Sequence, residues 1–191
     1  MSSVVGTWRK IESWLAAHWP QGLEDLRPPA TDEEIHALER ALGAHLPSDF
    51  SDALRVHNGQ QGLAGCLFPS GQFLGSEDIL DHWMCWKTLL DSGHFQGLRS
   101  DSEDGVLSDW WSPGWIPVTH NGFGDHDCID LTPTASGMFG QLITMWHDQP
   151  ERTVLAPSYS FWLAQFHERL QSELIVFCPD SNCLVERDLL R

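Results

Sequence analysis

The chain has 191 residues, of which 41% are hydrophobic and ten are tryptophan, and its 27 acidic and 11 basic residues give a net charge of −16. This length and apolar content favour one domain that spans residues 1–191. The negative charge repels phosphate backbones and anionic lipid, which argues against nucleic-acid or membrane binding and favours a basic protein as partner.

Cysteine usage and the N-terminus predict the cellular compartment. The five cysteines are scattered, without the paired spacing of a zinc site or a disulfide framework. The first ten residues contain no apolar run of signal-peptide length, and no later segment reaches the ~20 apolar residues of a membrane span. We therefore expect reduced thiols and a cytoplasmic protein.

Three helices are predicted ahead of the first clear strand. The first has an apolar stripe at helical spacing, formed by Trp8, Ile11 and Leu15. The second carries a capping-box pattern at Thr31 and Glu34 and should end at Gly43, because glycine readily adopts the left-handed conformation of a C-cap. The third is shorter, begins near Pro47 and should end before Gly59.

The middle of the chain is less regular. Residues 66–68 and 72–74 are short apolar pieces on either side of a Pro-Ser-Gly sequence, which favours a strand pair or an irregular turn over a helix. A stronger helix should run from Ser76 to Gly93, where apolar residues keep one face. Residues 94–114 have little periodicity and are rich in Ser, Asp and Gly, so they predict a long loop.

The second half predicts an antiparallel meander. Its strands are expected at residues 115–120, 126–131 and 140–147, with residues 152–156 as a possible fourth. Ser158 should then cap a helix with an apolar inner face. The last residues favour a terminal hairpin.

The predicted elements are thus three leading helices, a fourth helix, an antiparallel meander and a later helix. The core should span about residues 8–174, with residues 94–114 as a long loop and residues 175–191 as a C-terminal extension.

Acidic residues dominate the segment between Arg99 and Arg152, which contains no other Lys or Arg. The nine carboxylates in this window are Asp101, Glu103, Asp104, Asp109, Asp125, Asp127, Asp130, Asp148 and Glu151. Several fall on predicted strands, so they would form a fixed negative surface that favours a cationic partner. The alternative is that the excess acid only keeps the protein dispersed.

Trp110 and Trp111 lie within the predicted loop and look exposed in the sequence. Aromatic residues ringed by acids resemble the anchors that dominate binding energy at protein interfaces. The alternative is that both rings fold down as a lid over the sheet. The sequence does not separate these two interpretations.

A metal site could be imagined at Asp125, His126, Asp127 and Asp130. The spacing argues against it, because successive strand residues point to opposite faces. A turn acid followed by exposed strand acids is favoured, and His120 and His147 could complete a cluster only if the meander aligned them.

Nucleophile chemistry is also disfavoured. Ser158 is explained as a helix N-cap, and Cys128 lies on an apolar strand in an acidic region that penalises a thiolate. No phosphate-binding loop, nucleophile elbow or zinc-protease motif occurs in the sequence. We therefore predict no enzyme activity, no catalytic residues, no cofactor and no metal.

The order of several short motifs resembles the SUKH superfamily, named for fungal cell-wall-assembly regulators and their bacterial relatives. The first part is Thr31 and Glu34 followed by Leu46-Pro47 and His57-Asn58-Gly59. The second is Trp115-Ile116-Pro117-Val118, Gly124-Asp125 and Cys128-Ile129-Asp130-Leu131. The third is Trp146-His147-Asp148 and Ala156-Pro157-Ser158.

The resemblance implies an α+β fold in which a mainly antiparallel sheet of about four to six strands packs against helices, without known catalytic apparatus. Bacterial members are regarded as immunity proteins that neutralise a toxin, and fungal members as interaction hubs with long disordered arms. This chain has no such arms, so we predict a bacterial immunity protein that binds a basic toxin, possibly a nuclease, as a monomer or weak homo-oligomer. The predicted contact residues are Asp101, Glu103, Asp104, Asp109, Trp110, Trp111, Asp125, Asp127 and Asp148.

Two alternatives stay open. One is a non-catalytic scaffold or regulator like the fungal relatives. The other is a hydrolase in which Asp125, Asp127 or Asp130 acts with His126, which would require a bound metal.

Overall fold

A computed structural model describes residues 3–190 of the chain. Its α-helices are α1 Val4–His18, α2 Pro20–Glu24, α3 Asp32–Leu42, α4 Ser48–Leu54, α5 Ser76–Asp91 and α6 Tyr159–Gln171. Its strands are β1 Gln72–Phe73, β2 Asp101–Ser102, β3 Trp115–Pro117, β4 Thr119–His120, β5 His126–Asp130, β6 Gln141–Met145, β7 Glu151–Arg152, β8 Val154–Ala156, β9 Ile175–Cys178 and β10 Cys183–Glu186.

Local signals set the helix ends. Helix α3 has the predicted capping box, in which the Thr31 hydroxyl accepts the N–H of Glu34 at 3.2 Å and Glu34 accepts the N–H of Thr31 at 2.6 Å. Gly43 ends the helix with a φ of 69°. Ser158 caps α6 by accepting the N–H of Phe161 at 3.2 Å. Both caps were predicted correctly because they depend on residues three positions apart.

The central sheet has the order β3-β5-β6-β8 and is antiparallel throughout. This arrangement confirms the predicted meander and the α+β fold. Helix α5 packs against β3, and α6 packs against β6 and β8. All five residues of β5 are buried. Because neighbouring residues of a strand point to opposite faces, both faces of β5 must be covered, and the helices provide this cover.

The predicted strand at 115–120 is divided at Val118. The Val118 N–H donates to the carbonyl oxygen of Asp127 at 2.8 Å, whereas its carbonyl accepts the N–H of Leu74 at 3.0 Å. The chain therefore changes partners there: β3 pairs with β5, and β4 pairs with β1. Residues 66–68 and 72–74 do not pair as strands. An isolated bridge from Phe68 to Gly71 closes a turn there, which agrees with the irregular-turn alternative.

The predicted loop 94–114 contains strand β2, which pairs in parallel with β7. Arg152 fixes this segment, because its guanidinium donates to the carbonyl oxygen of Trp110 at 2.9 Å and lies 5.4 Å from the Trp110 ring. The Arg152 side chain is fully buried. The loop is thus tied to the sheet edge.

Trp111 is buried, with 2% of its surface exposed, and its ring lies 6.2 Å from that of Trp83 and 6.3 Å from that of Trp86. The expectation of an exposed tryptophan pair is therefore wrong for Trp111, which packs against α5. Trp110 is half-buried beside Arg152. Hydrophobic burial outweighs the polar sequence context of Trp111.

The terminal residues form the expected hairpin of β9 and β10. Ile175 and Leu184 are buried, and the ring of Phe177 stacks on Trp19 at 5.3 Å. The hairpin therefore adds to the core. In the part of the chain that the structure describes, no helix is long and apolar enough to cross a bilayer.

Candidate functional site

The acidic window does not form one continuous surface. The five exposed members are Asp101, Glu103, Asp104, Asp148 and Glu151. Asp101 and Glu151 lie opposite each other in the β2–β7 pair, so part of the predicted negative surface does form. Asp109, however, pairs with Arg99 at 2.7 Å, and Asp130 is fully buried.

Asp125 lies in the turn between β4 and β5, as the turn-acid interpretation predicted. Its carboxylate accepts the backbone N–H of His147 at 2.9 Å and the amide of Asn121 at 2.6 Å, and the ring Nδ1 of His147 lies 2.8 Å away. Burial acts to raise the pKa of Asp125, but these hydrogen bonds outweigh it and lower the pKa. The bond to Asp125 raises the pKa of His147. Asp125 is therefore satisfied within the chain.

Three histidines converge on the α5 side of the sheet. The rings of His82 and His120 are 4.1 Å apart, and each lies 5.1 Å from the ring of His126. Their ligand nitrogens fall within 4.8 Å of one another, so the trio has the spacing of a metal site. Both ring nitrogens of His126 already have partners: Nδ1 lies 2.7 Å from the Thr119 carbonyl oxygen, and Nε2 accepts the indole N–H of Trp86 at 3.3 Å.

Burial sets the charge of this histidine cluster. It lowers the pKa of His82 and of His120, and it lowers the pKa of His126 to about 3. The three rings are therefore neutral near pH 7. Ring contacts hold the three side chains together, and hydrogen bonds fix the orientation of His126.

The structure does not bring together the four residues of the metal site that the sequence disfavoured. His126 faces α5, whereas Asp127 faces α6, and Asp130 accepts an amide N–H of Gln141 at 3.0 Å on the buried side of the sheet. The residues consecutive in sequence thus separate across the strand, as alternation requires. The sequence analysis did not identify His82 as a member of this cluster, because no sequence pattern linked it to residues about forty positions away.

Asp127 lies at the floor of a groove between α6 and the sheet. Its cross-strand neighbour is Thr144, and both residues line the groove together with Ser70. The groove has a volume of ≈ 630 Å³. Asp127 is only 7% exposed, which corrects the prediction of an exposed strand acid; helices cover both faces of β5.

Burial raises the pKa of Asp127 to about 6, although a hydrogen bond from the Ser70 hydroxyl opposes the rise. Within residues 3–190, no Lys, Arg or His side chain forms an ion pair with this carboxylate. A buried carboxylate without a cation is unfavourable in the charged form. The floor of the groove therefore favours a positively charged group.

The walls of the groove are mainly aromatic and apolar. Phe68 lies with its ring 4.5 Å from that of Trp162 and 4.7 Å from that of Phe166. Trp146, which is 37% exposed, and Leu155 complete the sheet side. These residues come from three distant segments, so no local sequence pattern could have identified the groove.

Charged residues stand at the rim. Glu168 and Arg169 come from α6, and Glu186 comes from β10. The Arg169 guanidinium forms an ion pair with Glu186. Among the described charged residues that line the groove, three are acids and one is a base.

The family model for the SMI1/KNR4 family (SUKH-1) matches residues 29–165, which include α3 to α5 and the whole central sheet. This chain belongs to the SMI1/KNR4 family. Asp127 and most of the groove lie within the matched segment.

Several fungal relatives match nearly the whole chain. A glucan synthesis regulatory protein of Neurospora crassa is 27% identical over 97% of this chain and 42% of its own length. The cell wall biosynthesis/cell cycle regulator smi1 of Schizosaccharomyces pombe is 29% identical over 93% of this chain and 38% of its own. The cell wall assembly regulator SMI1 of Saccharomyces cerevisiae is 23% identical over 90% and 41%.

These relatives correct the predicted function. They are named as regulators of fungal cell-wall assembly and glucan synthesis, which contradicts a bacterial immunity protein and gives no support to a toxin as partner. They are named as regulators and not as enzymes. This SMI1/KNR4 chain spans about two fifths of the length of these relatives.

Proposed function

We propose that this chain is a non-catalytic protein-interaction domain that acts in the regulation of cell-wall assembly. Its relatives are named as regulators and align with almost all of it, which supports assigning the shared segment to regulation. Regulation without chemistry of its own requires contact with other proteins.

The observation that carries this proposal is the groove at Asp127. The described residues that line it include no histidine, cysteine or lysine, and the hydroxyl of Ser70 donates a hydrogen bond to Asp127. Aromatic walls around a few polar groups are typical of recognition sites. The exposed acids Asp101, Glu103 and Asp104 on and beside β2 stay a predicted second contact surface, as do Asp109, Trp110, Asp125 and Asp148.

A chimera tests the proposal. The segment of the Neurospora regulator that aligns with this chain is replaced by the chain, and the chimera is expressed in a strain that lacks the regulator. We expect restored resistance to an inhibitor of glucan synthesis. A Trp115→Asp chimera, whose fully buried core residue is made charged, should not restore it.

A chimera that reaches normal abundance but leaves the cells sensitive would contradict the proposed function. A purified chain that turns over substrate without a partner would contradict its non-catalytic part.

A further inference from the structure

We infer that the groove between α6 and the sheet receives a lysine or arginine side chain of a protein partner, with Asp127 as its counter-ion. This inference rests on the proposed function and identifies the chemistry of the partner at the groove.

The Asp127 carboxylate has free capacity for a cationic partner. Asp127 is 7% exposed, lines the groove, and has the Ser70 hydroxyl as its hydrogen-bond partner, with no cation of the described chain paired to it. A carboxylate has about four lone-pair sites, so one hydroxyl leaves most of them available. An incoming ammonium or guanidinium would satisfy those sites and remove the cost of burying an isolated charge.

The walls of the groove suit a long cationic side chain. Lysine and arginine carry an apolar stem that ends in a charge, and they bury the stem against apolar surface. Phe68, Trp162 and Phe166 offer such a surface above the carboxylate, and Trp146 adds an aromatic face at the sheet edge. Aromatic faces attract cations further. A neutral apolar side chain would use the walls but leave Asp127 unsatisfied.

The charge of the rim also favours a cation. Glu168 and Glu186 stand at the entrance, and the one described base there, Arg169, is held by its ion pair with Glu186. The entrance therefore favours approach of a cation, in agreement with the charge of the whole chain, which is −16. A groove of ≈ 630 Å³ is also large enough for one long side chain and its apolar neighbours.

The experiment compares two short peptides that differ in one charge. Both are leucine-flanked; one has arginine at its centre and the other has citrulline, the neutral isostere of arginine. Binding is followed by two-dimensional NMR of the full chain, with the indole signals of Trp146 and Trp162 as reporters in the groove. The arginine peptide should bind about 10- to 100-fold more tightly, and the preference should disappear in Asp127→Asn.

Two further variants sharpen the result. Asp81→Asn removes an exposed carboxylate of α5 that does not line the groove and should leave both affinities unchanged. Arg169→Gln removes the base at the rim and should increase the affinity for the arginine peptide roughly two- to fivefold. Equal loss in Asp127→Asn and Asp81→Asn would mean that overall charge and not the groove binds the peptide, which overturns the inference.

The inference also falls if the arginine peptide does not bind at millimolar concentration, or if arginine and citrulline peptides bind equally. Either result beside a chimera that restores resistance leaves the proposed function standing. A chimera that fails while the peptide preference holds would instead remove the regulatory function and keep the cation site.

Discussion

At the residue scale, Asp127 is expected to lower the stability of the fold at neutral pH. Its pKa is raised to about 6 by burial, so its contribution to stability is fully present below its usual pKa and is lost as the pH rises through 6. A tenfold change in acidity corresponds to about 1.4 kcal/mol, so the charged form costs on the order of 1–3 kcal/mol. Asp127→Asn should raise the free energy of urea unfolding by this amount near pH 7.5 and by little near pH 4.

The matched control is Asp148→Asn. Asp148 is exposed, and its replacement should change the free energy of unfolding by less than about 0.5 kcal/mol at either pH. A destabilised Asp127→Asn at neutral pH would show that the carboxylate is well paired in the fold and would remove the basis of the cation site.

The histidine cluster titrates in the opposite sense. The pKa of His126 is lowered by burial to about 3, so its contribution is fully present above its usual pKa of 6.5 and is lost as the pH falls toward 3. In the Asp127→Asn background, the free energy of unfolding should fall by about 2 kcal/mol between about pH 7.5 and about pH 5. His147 acts against this trend, because its bond to Asp125 raises its pKa.

The measurement is urea unfolding across that pH range. A free energy that stays constant or rises on acidification would contradict a neutral, buried His126. The same experiment on His147→Gln should give a steeper fall, because the opposing group is removed.

At the element scale, the capping box of α3 should contribute measurably to stability. Thr31→Ala removes the hydroxyl that accepts the N–H of Glu34 and should lower the free energy of unfolding by about 1 kcal/mol. Thr88→Ala, on the exposed side of α5, is the control and should cost less than about 0.5 kcal/mol. Equal losses in the two variants would mean that the capping box adds nothing to stability.

Arg152 should control the order of the loop at residues 94–114. Arg152→Gln removes the hydrogen bond to the Trp110 carbonyl and leaves a gap beside Trp115, whose ring lies 5.8 Å from the guanidinium. We expect faster amide hydrogen exchange in β2 and around Trp110 than in β5. Uniform acceleration over the whole chain would indicate global destabilisation instead.

Elements with local signals could be predicted, and those with distant partners could not. Thr31 and Gly43 mark the two ends of α3, and alternating apolar and polar residues between glycine-rich turns predicted the meander. Each of these signals depends on neighbours in sequence. The β1–β4 and β2–β7 pairs join residues about fifty positions apart, and no local pattern encodes such a choice. Burial of Asp127 escaped prediction for the same reason, since α6 covers it from a later segment.

At the scale of the whole molecule, the central sheet separates two chemically different faces. One face meets α5 through three neutral histidines, of which His126 is hydrogen-bonded. The other face meets α6 at the groove, where Asp127 has no ion-pair partner among residues 3–190. The α+β fold and the family followed from the order of motifs. The bacterial branch did not, because it rested on the lack of disordered arms in a chain that spans about two fifths of its relatives.

The proposed cation site requires that Asp127 is a buried carboxylate without a cationic partner in the free chain. The direct measurement is the side-chain carboxyl ¹³C chemical shift of Asp127, followed by NMR over a pH titration of the free chain. We predict a midpoint of about 6. A midpoint at or below the usual value of 3.8 would contradict the account, since it would mean that the charged carboxylate is already stabilised within the fold.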